Sequence, residues 1–136
     1  MIPISLEFYP PKTDEQRAQL DRTVGRLKAH APQYVSCAGG STLSYTSETV
    51  RHLLQHHQLE AAPHLSCVGG TREELRELLK LYRAIGCRRI VTLRGDLPSG
   101  MGHAGDLRYA AELVALIRTE HGDRFRIDLA AYPHVN

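Results

Sequence analysis

Three observations predict an α/β domain built on a parallel sheet. Five β-rich runs, ISLEFY (4–9), QYVSCA (33–38), APHLSC (62–67), RRIVTL (88–93) and FRIDLAAY (125–132), recur about every thirty residues, the length of one strand with its crossover helix. Between them lie four stretches with helical periodicity and recognisable starts and stops. Finally, V-S-C-A-G-G-S at 35–41 returns as L-S-C-V-G-G-T at 65–71, so two strands leave the sheet through similar glycine-rich exits into hydroxyl-capped helices. Strict β-α alternation makes the sheet parallel and directs the search for chemistry to the carboxyl ends of the strands.

The elements follow in order. The first run alternates Ser5, Glu7 and Tyr9 on one face against Ile4, Leu6 and Phe8 on the other. Thr13 and Gln16 then stand at capping-box spacing and open a helix whose Leu20, Val24 and Leu27 share a face. The second run leads to the weakest helical pattern, around Thr46 to His57. After the third run, Thr71 and Glu74 cap the clearest helix: Leu75, Leu78, Leu79 and Tyr82 fall at i, i+3, i+4 and i+7, and Gly86 can end it in the left-handed conformation. The fourth run precedes a helix expected from about Asp106 to Glu120, with Leu107, Ala110, Ala111, Val114 and Ile117 inward and Gly122 at its end. The fifth run closes the pattern.

Composition bounds the function. With 136 residues, 42% apolar and 24% charged, the chain suits one soluble globular domain. The longest apolar run, LVALI at 113–117, is too short for a bilayer, and the N-terminus lacks the basic and apolar regions of a secretion signal, so a cytoplasmic location is expected. The 17 basic residues are scattered and the net charge is +2, which leaves no footprint for nucleic acid. Cys37, Cys67 and Cys87 are odd in number and far apart, so neither a disulfide framework nor a zinc site is indicated; reduced, buried thiols are expected.

At the strand ends stand Glu7, the Cys37–Gly40 exit, His64, Arg94-Gly95-Asp96 and Tyr132, from separate strands but on one predicted rim. Glu7 among aromatic neighbours reads either as a desolvated acid able to donate a proton or as a solvated glutamate on an edge strand. In Arg94-Gly95-Asp96 the arginine offers a planar fork, the glycine close backbone approach and the aspartate a charge; the alternative is a turn closed by Pro98. Gly100, Gly102 and Gly105 match G-x-G-x-x-G, but seven residues and a proline separate them from the strand, so the dinucleotide fingerprint is rejected in favour of a long loop. His52 and His56 lie one helical turn apart, yet no carboxylate or third histidine is placed with them at that helical spacing and HLLQHHQ reads as a solvated helix end, so no metal is expected. From its residues alone, His64 reads as a core histidine.

Taken together, S-L-E-F-Y-P-P-K-T, L-E-A-A-P-H-L-S-C, R-R-I-V-T-L-R-G-D-L-P and A-A-Y-P resemble the methylenetetrahydrofolate reductase family, in order from Ser5 to Pro133. The resemblance implies an eight-stranded β/α (TIM) barrel that holds FAD at the carboxyl ends of its strands. It further implies that NADH or NADPH reduces the flavin, which passes hydride to methylenetetrahydrofolate and yields methyltetrahydrofolate, a step of one-carbon and methionine metabolism. By the same resemblance Glu7 is the general acid that opens the folate ring. His64, Arg94, Gly95 and Asp96 contact flavin, with Asp96 also near the folate, where its charge stabilises a cationic intermediate. Ala38, Tyr109, Ala110 and Tyr132 match further flavin contacts.

There are departures from the family pattern. S-C-A-G-G replaces the family's V-T-F/Y-G-A-G-G, so a threonine that contacts flavin or nicotinamide is absent before Ala38. His134 stands where the family has a glutamate and takes no role. With five strands, the expectation is an incomplete β/α barrel, one domain over 1–136 with about five parallel strands and four intervening helices; length alone would suit a doubly wound, flavodoxin-like sheet. The functional alternative is a truncated, non-catalytic barrel fragment that associates with a complementary segment or with itself as a homo-oligomer.

Overall fold

Capping chemistry decides where the helices begin. The Thr13 hydroxyl accepts from the Gln16 amide, and Gln16 Oε1 accepts from the Lys12 amide, opening α1 (Asp14–Leu27). Thr71 and Glu74 make the full reciprocal box ahead of α3 (Arg72–Ala84), and Gly86 follows it at φ +90°. The remaining elements are β1 (Ser5–Phe8), a 3-10 turn (Lys28–His30), β2 (Tyr34–Cys37), α2 (Leu43–His56), β3 (Ala61–Ser66), β4 (Arg89–Leu93), α4 (Ala110–His121) and β5 (Arg126–Leu129). This computed structural model describes residues 2–39, 43–68, 70–95 and 106–130.

One sequence expectation is corrected here. Helix α4 starts at Ala110 instead of near Asp106, because the Asp106 carboxylate is engaged elsewhere: it accepts from the Arg72 amide at 2.7 Å, at the open N-terminus of α3. Leu107 is still fully buried, but from the loop that precedes the helix.

All strand pairs are parallel and the order is β1-β2-β3-β4-β5. Every crossover therefore steps in the same direction, and since parallel crossovers are right-handed, every helix lands on the same face of the sheet. A doubly wound sheet needs a reversal of strand order and helices on both faces. The five strands are thus the wall of a partial β/α barrel, and the flavodoxin-like alternative is set aside. The core agrees: Val24, Leu53, Leu79 and Ile117, one from each helix, join Val35, Leu65 and Ile90 in one apolar cluster. Among the described residues β1 and β5 each pair with one strand only, and no helix is long and apolar enough to cross a membrane.

Cys37, Cys67 and Cys87 are free and buried, as the sequence leads one to expect. Burial pushes the Cys37 and Cys87 thiols up to about 12.

Candidate functional site

Strand register sorts the side chains into two faces. Glu7 is level with Ser36 and Ser36 with Ala62, while His64 is level with Val91 and Val91 with Asp128. Period-two alternation then puts Glu7, Ser36, Ala62, His64, Ser66 and Val91 on the face opposite the helices. His64 is not part of the apolar cluster, so its reading as a core histidine is replaced: it stands half-buried on the bare face with Nε2 3.1 Å from Ser36 Oγ. Burial lowers its pKa below the ordinary value, opposed by the negative charge of Glu7. A neutral imidazole at pH 7 is the consequence.

Glu7 itself differs from the desolvated acid that its aromatic neighbours suggested. Leu6 and Phe8 turn towards the core, whereas Glu7 on the edge strand β1 is exposed to solvent. The alternation was legible, but the second wall that would cover this face is not formed by the described residues.

At the carboxyl end of β4 the chain is held by Ser66, whose hydroxyl donates to the Arg94 carbonyl at 2.8 Å, and by the Val68 amide, which donates to the same oxygen. Gly95 sits at φ +79°, and a Cβ there would meet Ser66 Oγ at 2.0 Å, so both conformation and space demand glycine. Arg94 is exposed and its Nε donates to the Arg108 carbonyl at 3.1 Å, tying this exit to the approach to α4. There Tyr109 is exposed at the N-cap and Ala110 is half-buried at the first helical position. Ala38 is buried where β2 ends: its amide donates to the Phe8 carbonyl at 2.8 Å, and its carbonyl accepts from Thr46 Oγ1 at 3.3 Å. Asp96, Tyr132 and the glycines at 100–105 lie outside the described residues.

Sequence reasoning passed over Ser36 and Ser66. Their signal was present in the internal echo, since V-S-C and L-S-C put a serine at the same position of two neighbouring strands. It also passed over the amino-terminal floor of the bare face. There Arg89, only 3% exposed, stacks 4.0 Å from the Tyr34 ring centre and pairs with Asp128 at 3.4 Å and Glu60 at 3.6 Å. A buried cation between two carboxylates and an aromatic ring closes that end by packing and charge.

The histidine pair needs correction as well. His52 and His56 are joined by the neighbouring His57 and by Asp21 from α1, so the carboxylate comes by tertiary contact and the third imidazole from the next residue along the chain. Asp21 Oδ1 lies 2.6 Å from His52 Nε2 and 2.7 Å from His57 Nε2. Burial works against the Asp21 charge, but the hydrogen bonds of His57 and His52 outweigh it and its pKa is lowered.

Comparison with known proteins identifies relatives of this sequence. The family profile described as Methylenetetrahydrofolate reductase covers residues 1–136. The 5,10-methylenetetrahydrofolate reductase of Salmonella typhimurium is 41% identical over 138 residues, which cover 99% of this chain and 45% of that protein. The protein of the same name from Escherichia coli K12 is 40% identical over the same shares. The probable methylenetetrahydrofolate reductase (NADH) of Oryza sativa is 33% identical over 139 residues, with 97% of this chain and 23% of the relative covered. The chain spans about half the length of its bacterial relatives. With the whole sequence inside the profile and the strand order of a β/α barrel wall, this chain belongs to the methylenetetrahydrofolate reductase family.

Proposed function

We propose that the chain forms the amino-terminal wall of a flavin-dependent reductase that converts methylenetetrahydrofolate to methyltetrahydrofolate with NADH or NADPH. The observation that carries this reading is the placement of Glu7, Ser36 and His64 on one bare sheet face, beside the carboxyl end of β4 from which Arg94 and Gly95 emerge.

The residues present fit FAD. A flat ring system needs a platform with polar groups at its edge, and the face beside His64 carries only small side chains at Ser36 and Ala62, with the imidazole and the Ser36 hydroxyl as polar groups. The close approach of main chain at Gly95, where no Cβ fits, adds an edge of backbone. His64 and the Arg94-Gly95 exit would hold the ring, with Ala38, Asp96, Tyr109, Ala110 and Tyr132 as further contacts drawn from the family. FAD held there would supply hydride transfer between the nicotinamide and the folate. His64 stays neutral and orients the ligand; because a hydroxyl can donate or accept, Ser36 lets its Nδ1 present either a donor or an acceptor. Glu7 supplies a proton to the folate ring nitrogen and Asp96 supports the resulting positive charge. Further barrel strands over the bare face would enclose Glu7 beside the folate.

The test is titration of the purified protein with FAD, followed by the visible absorption of bound flavin. A saturable spectrum that His64→Ala weakens is expected, and a protein that stays colourless overturns the reading. In the flavin-loaded protein, Glu7→Gln should lose folate reduction yet keep flavin reduction by nicotinamide; loss of both half-reactions together would remove Glu7 from the acid role.

A second reading is favoured by the single pairing of β1 and β5. A non-catalytic barrel fragment would use those open edges to bind a complementary segment or another copy of itself. A colourless protein that elutes as a dimer supports it.

A further inference from the structure

We propose that Asp21, His52, His56 and His57 form a transition-metal site of the Zn2+ class that clips α1 to the end of α2. The site is separate from the bare face: its ligands belong to the helical layer.

The donor set carries the argument. Three imidazoles and one carboxylate offer ligand atoms that all lie within 4.8 Å of one another. Tetrahedral zinc with bonds of about 2.0–2.1 Å needs ligand atoms about 3.3 Å apart. Asp21 Oδ1 and the two Nε2 atoms, now at 2.6 and 2.7 Å, would part by about 0.6–0.7 Å to reach that spacing, and His56 would draw in. His56 can do so, because its side chain is exposed, while His57 is buried and fixed. The rings are already gathered: His52 and His56 stack at 4.8 Å between centroids, and His57 stands edge-on to His56 at 4.9 Å.

Nitrogen-rich, borderline donors select Zn2+, Co2+, Ni2+ or Cu2+ over Mg2+ and Ca2+, which demand oxygen. Four protein ligands without a vacant position make a structural site and not a catalytic one. The adjoining groove is lined by Arg17, Glu48, Arg51 and Gln55, and Glu48 pairs with Arg51. Arg17 therefore contributes the positive charge that limits affinity, and neutralising it should tighten binding.

The experiment uses the tag-free chain stripped by a chelator, titrated with Co2+ and followed by visible d–d absorption, then competed with Zn2+. One equivalent with the intense spectrum of tetrahedral coordination is expected, together with a higher Tm in the presence of Zn2+. His56→Gln, at an exposed position, should leave the metal-free Tm unchanged yet weaken binding by at least about tenfold. Asp21→Asn should do the same or more, and Arg17→Gln should strengthen binding. A chain that shows no saturable Co2+ spectrum overturns the site. So does a stoichiometric site that keeps its affinity in both His56→Gln and Asp21→Asn, or one with a thiolate charge-transfer band, which would assign the metal to cysteine.

Discussion

The two faces of the sheet differ in what they are made for. The helix-covered face carries Val35, Cys37, Ala61, Leu65 and Ile90, nearly all without exposed surface, and its stability comes from apolar area removed from water. The bare face carries Glu7, Ser36, His64 and Ser66 towards one end and the Arg89 cluster towards the other. Glu7, His64 and Ser66 keep contact with water, whereas Ser36 and Arg89 are buried against polar partners, and such groups are costly to cover without them. The same strands serve both faces, since alternate residues point in opposite directions. A barrel wall thus separates stability from chemistry by residue parity, and substitutions one position apart along a strand should have unlike consequences.

The largest contrast is kinetic. With their thiols pushed up to about 12, Cys37 and Cys87 on the covered side should react with a disulfide reagent at pH 8 at least about a thousandfold more slowly than in the urea-unfolded chain. Comparable rates in the two states would mean that the covered face is open. Next comes packing. Leu79→Ala removes a fully buried side chain between α3 and the sheet and should cost about 2–5 kcal/mol by urea denaturation, whereas Ser36→Ala on the bare face should stay within about 1 kcal/mol. Equal losses would erase the distinction.

The strand exit is intermediate. Gly95→Ala must hold a side chain at φ +79° against Ser66 Oγ, and should cost about 1–3 kcal/mol and weaken flavin binding with it. Combining it with Ser66→Ala should recover part of that loss, and a purely additive double variant would deny the contact. A smaller effect should appear in pH dependence. Because the folded pKa of His64 is lowered, the unfolded chain takes up its proton first as pH falls. Its stabilising contribution is therefore complete above the unfolded value near 6.5 and is lost as pH drops through the folded one. An NMR titration of His64 that gives a value above 6.5 would reverse the sign. Smallest of all is Tyr82→Phe. The Tyr82 hydroxyl is buried without a hydrogen-bond partner among the described residues, so its removal should be neutral or stabilising by up to about 1 kcal/mol.

Much of this was legible in the chain. The caps at Thr13 and Thr71 and the parity of Ser5, Glu7 and Tyr9 against Leu6 and Phe8 depend on residues within a few positions of one another, where local geometry dominates. Helix α4 begins later than its helical pattern suggests, because the Asp106 carboxylate accepts from the amide of Arg72 at the start of α3, 34 residues away. His64 was misread without the family resemblance because a histidine after proline in an apolar strand says nothing of which face it occupies until neighbouring strands set the register.

By itself, the sequence determined the order of elements, their periods and caps, and the family to which the chain belongs. Each of these is carried by short-range spacing or by residue identity. Tertiary structure decided the exposure of Glu7, the pairing of His64 with Ser36, and the meeting of Asp21 with three histidines more than thirty positions away. The physical reason is that solvation and charge pairing depend on distance in space, and a β/α wall sets those distances through strand register and helix packing, which no local pattern encodes.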